Sequence, residues 1–412
     1  MFTESSNVSA RENNVVLAVD DEPDFLELIA MIGEGVGCEV LTAVTPSAFR
    51  EHLAHRRPAL VLLDLQMPGM DGIEALRYLA RHGSDAGVLL ASGMDQRVLV
   101  SARQLGESLG LTMLGTLQKP AMVEDIEALL KQHLSSDMRR VTVDEMVRAV
   151  REQEFVVHYQ PKLVRRAQEW QVGGVEALVR WEHPVLGLLL PQEFLSMAEQ
   201  SGLIIDISDI VLTNAVRQVG HWRQNGLDLS LAVNLAPRLV QDLEFPDRLA
   251  RLLLEFGLPP QYLTLEVTEA APGGNPQLVM DIFARLRLRG VGLSLDDFGT
   301  GTSSLTQLYR MPFSEVKIDA SLTADIGSST TAATVTRALV DLAHNLSLSV
   351  CAEGVEAPEA FHFLDGAGCD AVQGRFICAP CAPAEAESFM RQWSGELHRA
   401  QAGYLGSRTR MG

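Results

Sequence analysis

Short, almost wholly apolar runs recur along the chain, and most are followed by a stretch of helical periodicity. The runs at 15–19 (VVLAV), 59–64 (ALVLLD), 87–92 (GVLLAS) and 111–120 (LTMLGTLQKP) alternate with amphipathic segments such as DFLELIAMI and DGIEALRYLARH. VEDIEALLKQHL at 123–134 closes this part as a last helix. Strands that are apolar throughout, with helices between them, predict a doubly wound parallel sheet covered on both faces. A second series of runs follows: GGVEALVRW (173–181), LSLAVNL (229–235), YLTLEVTE (262–269), VGLSLDDFG (291–299), SEVKID (314–319), LSVCAEGV (348–355) and AVQGRFI (371–377). Helical segments such as FARLRLRG and TRALVDLAHNL lie between them, and this length and alternation suit a (β/α) barrel. The reading divides the chain into a flexible leader (1–14), a first domain (15–135), a linker with a connecting helix (136–153), a second domain (154–395) and a polar tail (396–412). The connecting helix opens at a Thr or Asp cap. It either transmits motion between the domains or caps the second one.

Composition narrows the function classes. The chain has 412 residues and a formal net charge of −19, and a surface so acidic repels nucleic-acid backbones and anionic membranes. No DNA partner is expected. No apolar signal segment opens the chain and no run of 18 apolar residues occurs, so membrane insertion is not expected either. Five cysteines, Cys38, Cys351, Cys369, Cys378 and Cys381, are too sparse and odd in number for a disulfide framework. The Cys378-x-x-Cys381 spacing lacks a second pair for zinc and reads as free thiols. A cytoplasmic protein is the expectation.

Asp20, Asp21, Asp64, Ser92 and Lys119 each follow the carboxyl end of an apolar run, and such ends converge on one crevice of an open parallel sheet. Three carboxylates there would repel unless a hard divalent cation joins them, and oxygen ligands favour Mg²⁺. Asp64 is then placed to accept a phosphoryl group, with Ser92 and Lys119 as partners of its oxygens. The segments VDDEP, LLDLQMPGMDG, ASG at 91–93 and Lys119-Pro120 resemble the response-regulator receiver family over about 14–135. The resemblance implies a flavodoxin-like five-stranded parallel sheet, phosphorylation at Asp64, one Mg²⁺ or Mn²⁺ on Asp20, Asp21 and Asp64, and Ser92 and Lys119 as switch residues. It also implies a cognate histidine kinase or phosphotransfer protein. Thr116 stands where the family usually carries an aromatic residue.

In the second domain Glu176, Asn234, Glu266, Asp296, Asp297, Lys317, Glu353 and Gln373 lie in or at the ends of otherwise apolar strands. A charge there is costly to bury unless it is paired or bound to metal, and the carboxyl face of a barrel is where active sites form. Five carboxylates and an amide select hard cations, and their number suits two. Two ions about 3.5–4 Å apart can activate a water and stabilise the leaving oxygen of a phosphodiester. Glu176, Asn234, Glu266 and Asp296 would hold one, and Asp296, Asp297 and Glu353 the other, with Lys317 orienting the water or neutralising charge at phosphorus. His158, His183 and His344 lack a motif context and read as structural or surface histidines.

YQP (159–161), EALVRW (176–181), EVTE (266–269), DDFGTG (296–301), KID (317–319), EGVE (353–356) and QG (373–374) resemble the EAL-domain phosphodiesterases over about 140–393. That resemblance implies a modified TIM (β/α)8 barrel that hydrolyses cyclic di-GMP to linear pGpG with two Mg²⁺ or Mn²⁺ ions. It implies Lys317 and Glu353 nearest to water activation. It further implies substrate contacts from Gln160, Leu178, Arg180, Asp319, Glu356 and Gln373, and Glu269 as anchor of the loop after Asp297. Homo-oligomers, dimeric or tetrameric, are expected on the same ground. Thr302, Ala320 and Arg375 depart from the usual aromatic, arginine and aromatic. An inactive cyclic di-GMP sensor or protein-interaction module is the alternative, and the complete ligand set favours the enzyme.

Overall fold

The structure, a computed structural model, describes residues 14–84, 86–93, 96–119, 121–134, 141–167, 169–268, 275–299, 308–327 and 329–393. The chain divides into two compact units between residues 140 and 141.

The first unit is built on β1 (Val15–Val19), β2 (Glu39–Ala43), β3 (Leu60–Asp64), β4 (Gly87–Ser92) and β5 (Thr112–Gln118). All pair in parallel in the order β2-β1-β3-β4-β5. The doubly wound five-stranded sheet expected from the sequence is therefore present. β1, β3 and β4 are buried along their whole length, because helices cover both faces of the sheet. β2, absent from the list of apolar runs, is an edge strand with a largely exposed pattern. Two cores result, one around Leu17, Phe49 and Leu76 and the other around Val16, Ile29 and Leu130.

The second unit starts with helix Val143–Glu152, whose Thr142 and Glu145 form a reciprocal capping box. Val141, Met146 and Ala149 are buried in the core of this unit. Its strands are β6 (Phe155–Arg166), β7 (Glu169–His183), β8 (Gly187–Leu189), β9 (Ser230–Asn234), β10 (Leu263–Thr268), β11 (Gly292–Phe298), β12 (Glu315–Ile318), β13 (Ser349–Ala352) and β14 (Ala371–Val372). The order β6-β14-β13-β12-β11-β10-β9-β7 closes on itself through a β6–β7 pairing, with β8 appended to β7. β6 runs antiparallel to both neighbours, and the rest of the ring is parallel. This is an eight-stranded barrel of the modified (β/α)8 kind. β6 contains Pro161, which has no N–H to give to a ladder; the β14 pairing meets β6 only at Leu163 and Val164, beyond that position.

Alternation along the strands sorts the residues. Leu265 and Val267, Leu293 and Leu295, Val316 and Ile318 are fully buried and belong to the apolar core. The intervening Glu266, Ser294, Asp296 and Lys317 are buried polar residues. Period-two alternation puts them on the opposite faces of the same strands, so the barrel interior is polar.

Two glycines set how closely the loops at the strand ends approach. Gly354, just after Glu353, has φ +62°, and a Cβ there would lie 2.4 Å from Cβ of Ala320. A Cβ on Gly374 would meet the Val355 backbone oxygen at 2.1 Å and nitrogen at 2.3 Å. Backbone cannot step aside as a flexible side chain can. Gly374→Ala is therefore expected to destabilise the protein by about 3 kcal/mol, the upper end of overpacking costs, measured by urea unfolding. It should also reduce activity, because Gln373 and Glu353 sit on the two segments forced apart.

Candidate functional site at the carboxyl ends of the barrel strands

Glu176 comes from β7, Glu266 from β10, Asp296 from β11 and Lys317 from β12, while Glu353 follows β13. Their side chains meet. Lys317 Nζ lies 2.5 Å from Glu353 Oε1, 2.7 Å from Glu266 Oε2, and 3.5 Å from both Glu176 Oε2 and Asp296 Oδ1. Lys317 and Glu266 are each 1 % exposed, so this ammonium is held by its carboxylates rather than by water. A second lysine, Lys162 on β6, places Nζ 2.8 Å from Glu266 Oε1.

An amide network extends the cluster. Asn234 Nδ2 donates to Glu176 Oε1 at 2.9 Å. Gln373 Nε2 donates to Glu176 Oε2 at 2.6 Å and to Gln160 Oε1 at 2.7 Å. Gln160 in turn donates to the Cys378 carbonyl at 3.0 Å. Gln373 Oε1 is buried with no hydrogen-bond partner among the described residues. Thr323 Oγ1 donates to the Glu353 carbonyl, fixing the turn on which that carboxylate sits.

The charge balance leaves a demand for cations. Four carboxylates face two ammonium groups, an excess of two negative charges when all are ionised. The strain is visible in the acids. Burial pushes the Glu353 carboxyl up to about 8; Lys317 opposes this, and the Glu176, Asp296 and Glu266 carboxylates add to it. Burial raises Glu176 as well, with Glu266 adding to the rise and Lys317 and Lys162 opposing it. Burial alone would raise Glu266, but Lys162 and Lys317 outweigh it and hold that carboxyl at about 2. Lys317 is raised because its four carboxylates outweigh its burial. A hard oxygen donor set with surplus negative charge fits one or more divalent cations.

The remaining expected residues fall as follows. Asp297 directly follows Asp296, with its backbone N–H donating to Asp296 Oδ1 at 3.0 Å. It has φ 59°, in the left-handed region, and the β11–β12 register shifts between Leu295 and Phe298. The alternation that would send two neighbouring carboxylates to opposite faces is thus broken there. Leu178 and Arg180 share a face of β7 with Glu176, and Arg180 Nη1 donates to the Val179 carbonyl at 2.8 Å. Asp319 caps helix Ala320–Ala324, accepting from the Ser321 N–H at 2.9 Å. Glu356 is exposed and lies 3.6 Å from Arg375 Nη1. Glu269 and Thr302 lie outside the described residues. His183 Nδ1 accepts from the Val185 and Leu186 N–H groups, and His344 pairs with Asp370 at 2.9 Å. Burial raises both the Cys378 and Cys381 thiols, Cys381 to about 12.

Sequence reasoning passed over Lys162 and Thr323. A lysine in the period-two frame of Gln160 was the available signal for the first. For Thr323, a small polar residue on a short helix, no signal was present.

In the first unit, carboxylate oxygens of Asp20, Asp21 and Asp64 lie within 4.8 Å of one another. Lys119 Nζ stands 2.6 Å from Asp20 Oδ2 and 3.3 Å from Asp64 Oδ2. Ser92 ends β4 fully buried, and its carbonyl accepts the Lys119 N–H at 3.0 Å. Burial raises the Asp20 carboxyl, with Lys119 opposing. Thr116 is exposed on β5.

Comparison with known proteins covers both units. The EAL domain model matches residues 143–380 and the response regulator receiver domain model matches residues 16–131. The chain is 32% identical over 379 residues to the cyclic di-GMP phosphodiesterase RocR of Pseudomonas aeruginosa, covering 89% of this chain and 95% of that protein. It is 40% identical over 238 residues to the bifunctional diguanylate cyclase/cyclic di-GMP phosphodiesterase MucR of the same organism, covering 58% of this chain but 34% of MucR. Among solved structures, a MucR phosphodiesterase in complex with c-di-GMP matches with TM-score 0.56 and 38% identity over 59% of this chain and 98% of that one. An EAL domain protein from Listeria monocytogenes matches with TM-score 0.54 and 27% identity over 60% of this chain and 97% of that one.

Proposed function

The chain belongs to the EAL-domain family, with a response-regulator receiver domain ahead of its EAL domain, and from that premise we propose that it hydrolyses cyclic di-GMP to linear pGpG under control of the receiver. One observation carries the reading: carboxylates from four separate strand ends gather within 3.5 Å of a single buried ammonium, with negative charge in excess. The similarity to RocR over nearly the whole of both chains supports it.

Glu176, Asn234, Glu266 and Asp296 would hold one divalent ion, Mg²⁺ or Mn²⁺, and Asp296, Asp297 and Glu353 a second. When bound, such ions supply a water of lowered pKa and stabilise the leaving oxygen of a phosphodiester. Glu353 would orient and deprotonate the water. Lys317 neutralises charge that develops on the phosphoryl oxygens. Arg180 pairs with a substrate phosphate, and Gln160, Leu178, Asp319, Glu356 and Gln373 contact the rest of the dinucleotide. Chromatography of cyclic di-GMP incubated with the purified chain and Mg²⁺ or Mn²⁺ should give pGpG, and EDTA should stop it. Tight binding without turnover would instead support a sensor.

The receiver would accept a phosphoryl group on Asp64 from a histidine kinase or phosphotransfer protein, with Asp20, Asp21 and Asp64 holding a divalent ion and Ser92 and Lys119 reading the phosphoryl oxygens. No described helix is long and apolar enough to cross a membrane. We expect beryllofluoride to change wild-type turnover and to leave Asp64→Asn unchanged. Identical kinetics of both proteins with and without the mimic would remove receiver control from the account.

A further inference from the structure

Lys162 is a buried cation of the barrel interior to which the hydrolysis above gives no task. It is 6 % exposed on β6, and its Nζ contacts Glu266 Oε1 at 2.8 Å. The other Glu266 oxygen, Oε2, belongs to Lys317 at 2.7 Å. One carboxylate is therefore stretched between two ammonium groups, one oxygen to each.

The register places Lys162 one layer beneath the site. On the β6–β7 ladder Gln160 stands opposite Glu176, within the amide network, whereas Lys162 stands opposite Gly174, two residues towards the start of β7. A Cβ on Gly174 would meet Ser230 Oγ at 2.5 Å, so the glycine there serves the β7–β9 approach. Glu315, half-buried at the start of β12, has its carboxyl raised by burial, and the Lys162 charge opposes that rise. Packing alone does not call for a lysine here, since a hydrophobe of similar length fills the same volume without the several kcal/mol needed to desolvate an ammonium.

We infer that Lys162 is a positioning residue for the hydrolysis: it holds Glu266 Oε1 from below, so that Oε2 alone faces Lys317 and the cation-binding carboxylates. The inference rests on the hydrolase reading and adds to it how one ligand is aimed. Metal ligands are commonly oriented by partners of this kind, and losing such a partner costs about 10–100-fold in metal affinity or activity. Lys162 does not touch the residues assigned to the substrate, so the Michaelis constant should be spared.

The test uses the full chain, stripped with chelator and titrated with Mn²⁺ by calorimetry, followed by kinetics at saturating Mn²⁺. Lys162→Met is expected to weaken Mn²⁺ binding by about tenfold or more and to lower kcat by a similar factor, with KM within about threefold of wild type. Lys162→Arg, which keeps a cationic donor for Glu266 Oε1, is expected to recover most of the affinity. If the methionine variant does not fold by circular dichroism, Lys162→Gln takes its place in the comparison. Unchanged Mn²⁺ affinity and kcat in either folded neutral variant overturns the inference, as does a loss of thermal stability alone. Tighter Mn²⁺ binding overturns it too, because that is what loss of a mere counter-charge produces. A wild-type protein that fails to bind Mn²⁺ or turn over substrate is a failure of the hydrolase reading. Wild-type turnover with indifferent variants is a failure of this inference alone.

Discussion

Lys317→Met is expected to lower turnover by about 10²–10⁴-fold, the range for loss of a group acting on the reacting centre. It is also expected to destabilise the chelator-treated protein by about 3–5 kcal/mol, because removing one partner of a buried ion cluster leaves the others uncompensated. The structure gives the reason for both. Lys317 is 1 % exposed and is the shared partner of four carboxylates contributed by different strand ends. Without it Glu176, Glu266, Asp296 and Glu353 repel one another at close range. Mn²⁺ should restore much of the lost stability, since a divalent ion supplies the missing positive charge, but not the lost rate. Melting with and without Mn²⁺, together with kcat, reads all of this. A variant with near-normal kcat would show that Lys317 is only a counter-charge.

Glu176→Ala is the second large effect. Glu176 Oε1 accepts from Asn234, and Oε2 accepts from Gln373 and lies 3.5 Å from Lys317. Removing it takes away a proposed metal ligand, one of the two acceptors of the buried Gln373 amide, and the acceptor of the exposed Asn234 amide. Metal-dependent turnover is expected to fall by at least about 100-fold, while the β-barrel remains folded because the carboxylate belongs to the polar interior and not to the apolar core. Far-ultraviolet circular dichroism checks the fold and product formation checks the rate. Near-normal activity would mean that the assignment of Glu176 as a ligand is wrong.

The receiver sheet and the barrel were legible because fully buried parallel strands leave continuous apolar runs, as in VVLAV and LVLLD. β2 escaped because an edge strand buries little and its EVLTA pattern carries no such run. β6 is long, but Pro161 interrupts its strand signature. Only the ring closure, where β14 meets β6 beyond the proline, shows how the sheet accommodates it. In the site, carboxylates in apolar strands announced themselves, since charge there demands a partner. Which atoms meet could not be read from the chain. Lys162 finds Glu266 across 104 positions, and a lone lysine in a strand otherwise reads as solvent-facing. The irregular step at Asp296-Asp297 was equally hidden, because strict alternation would have separated the two side chains.

The most direct measurement is anomalous diffraction from crystals of the full chain grown with manganese. The account predicts manganese density bounded by oxygens of Glu176, Glu266 and Asp296, with Asn234 beside it and Lys317 drawn back from at least one carboxylate. Manganese bound elsewhere, with all four carboxylates still closed around Lys317, would contradict it.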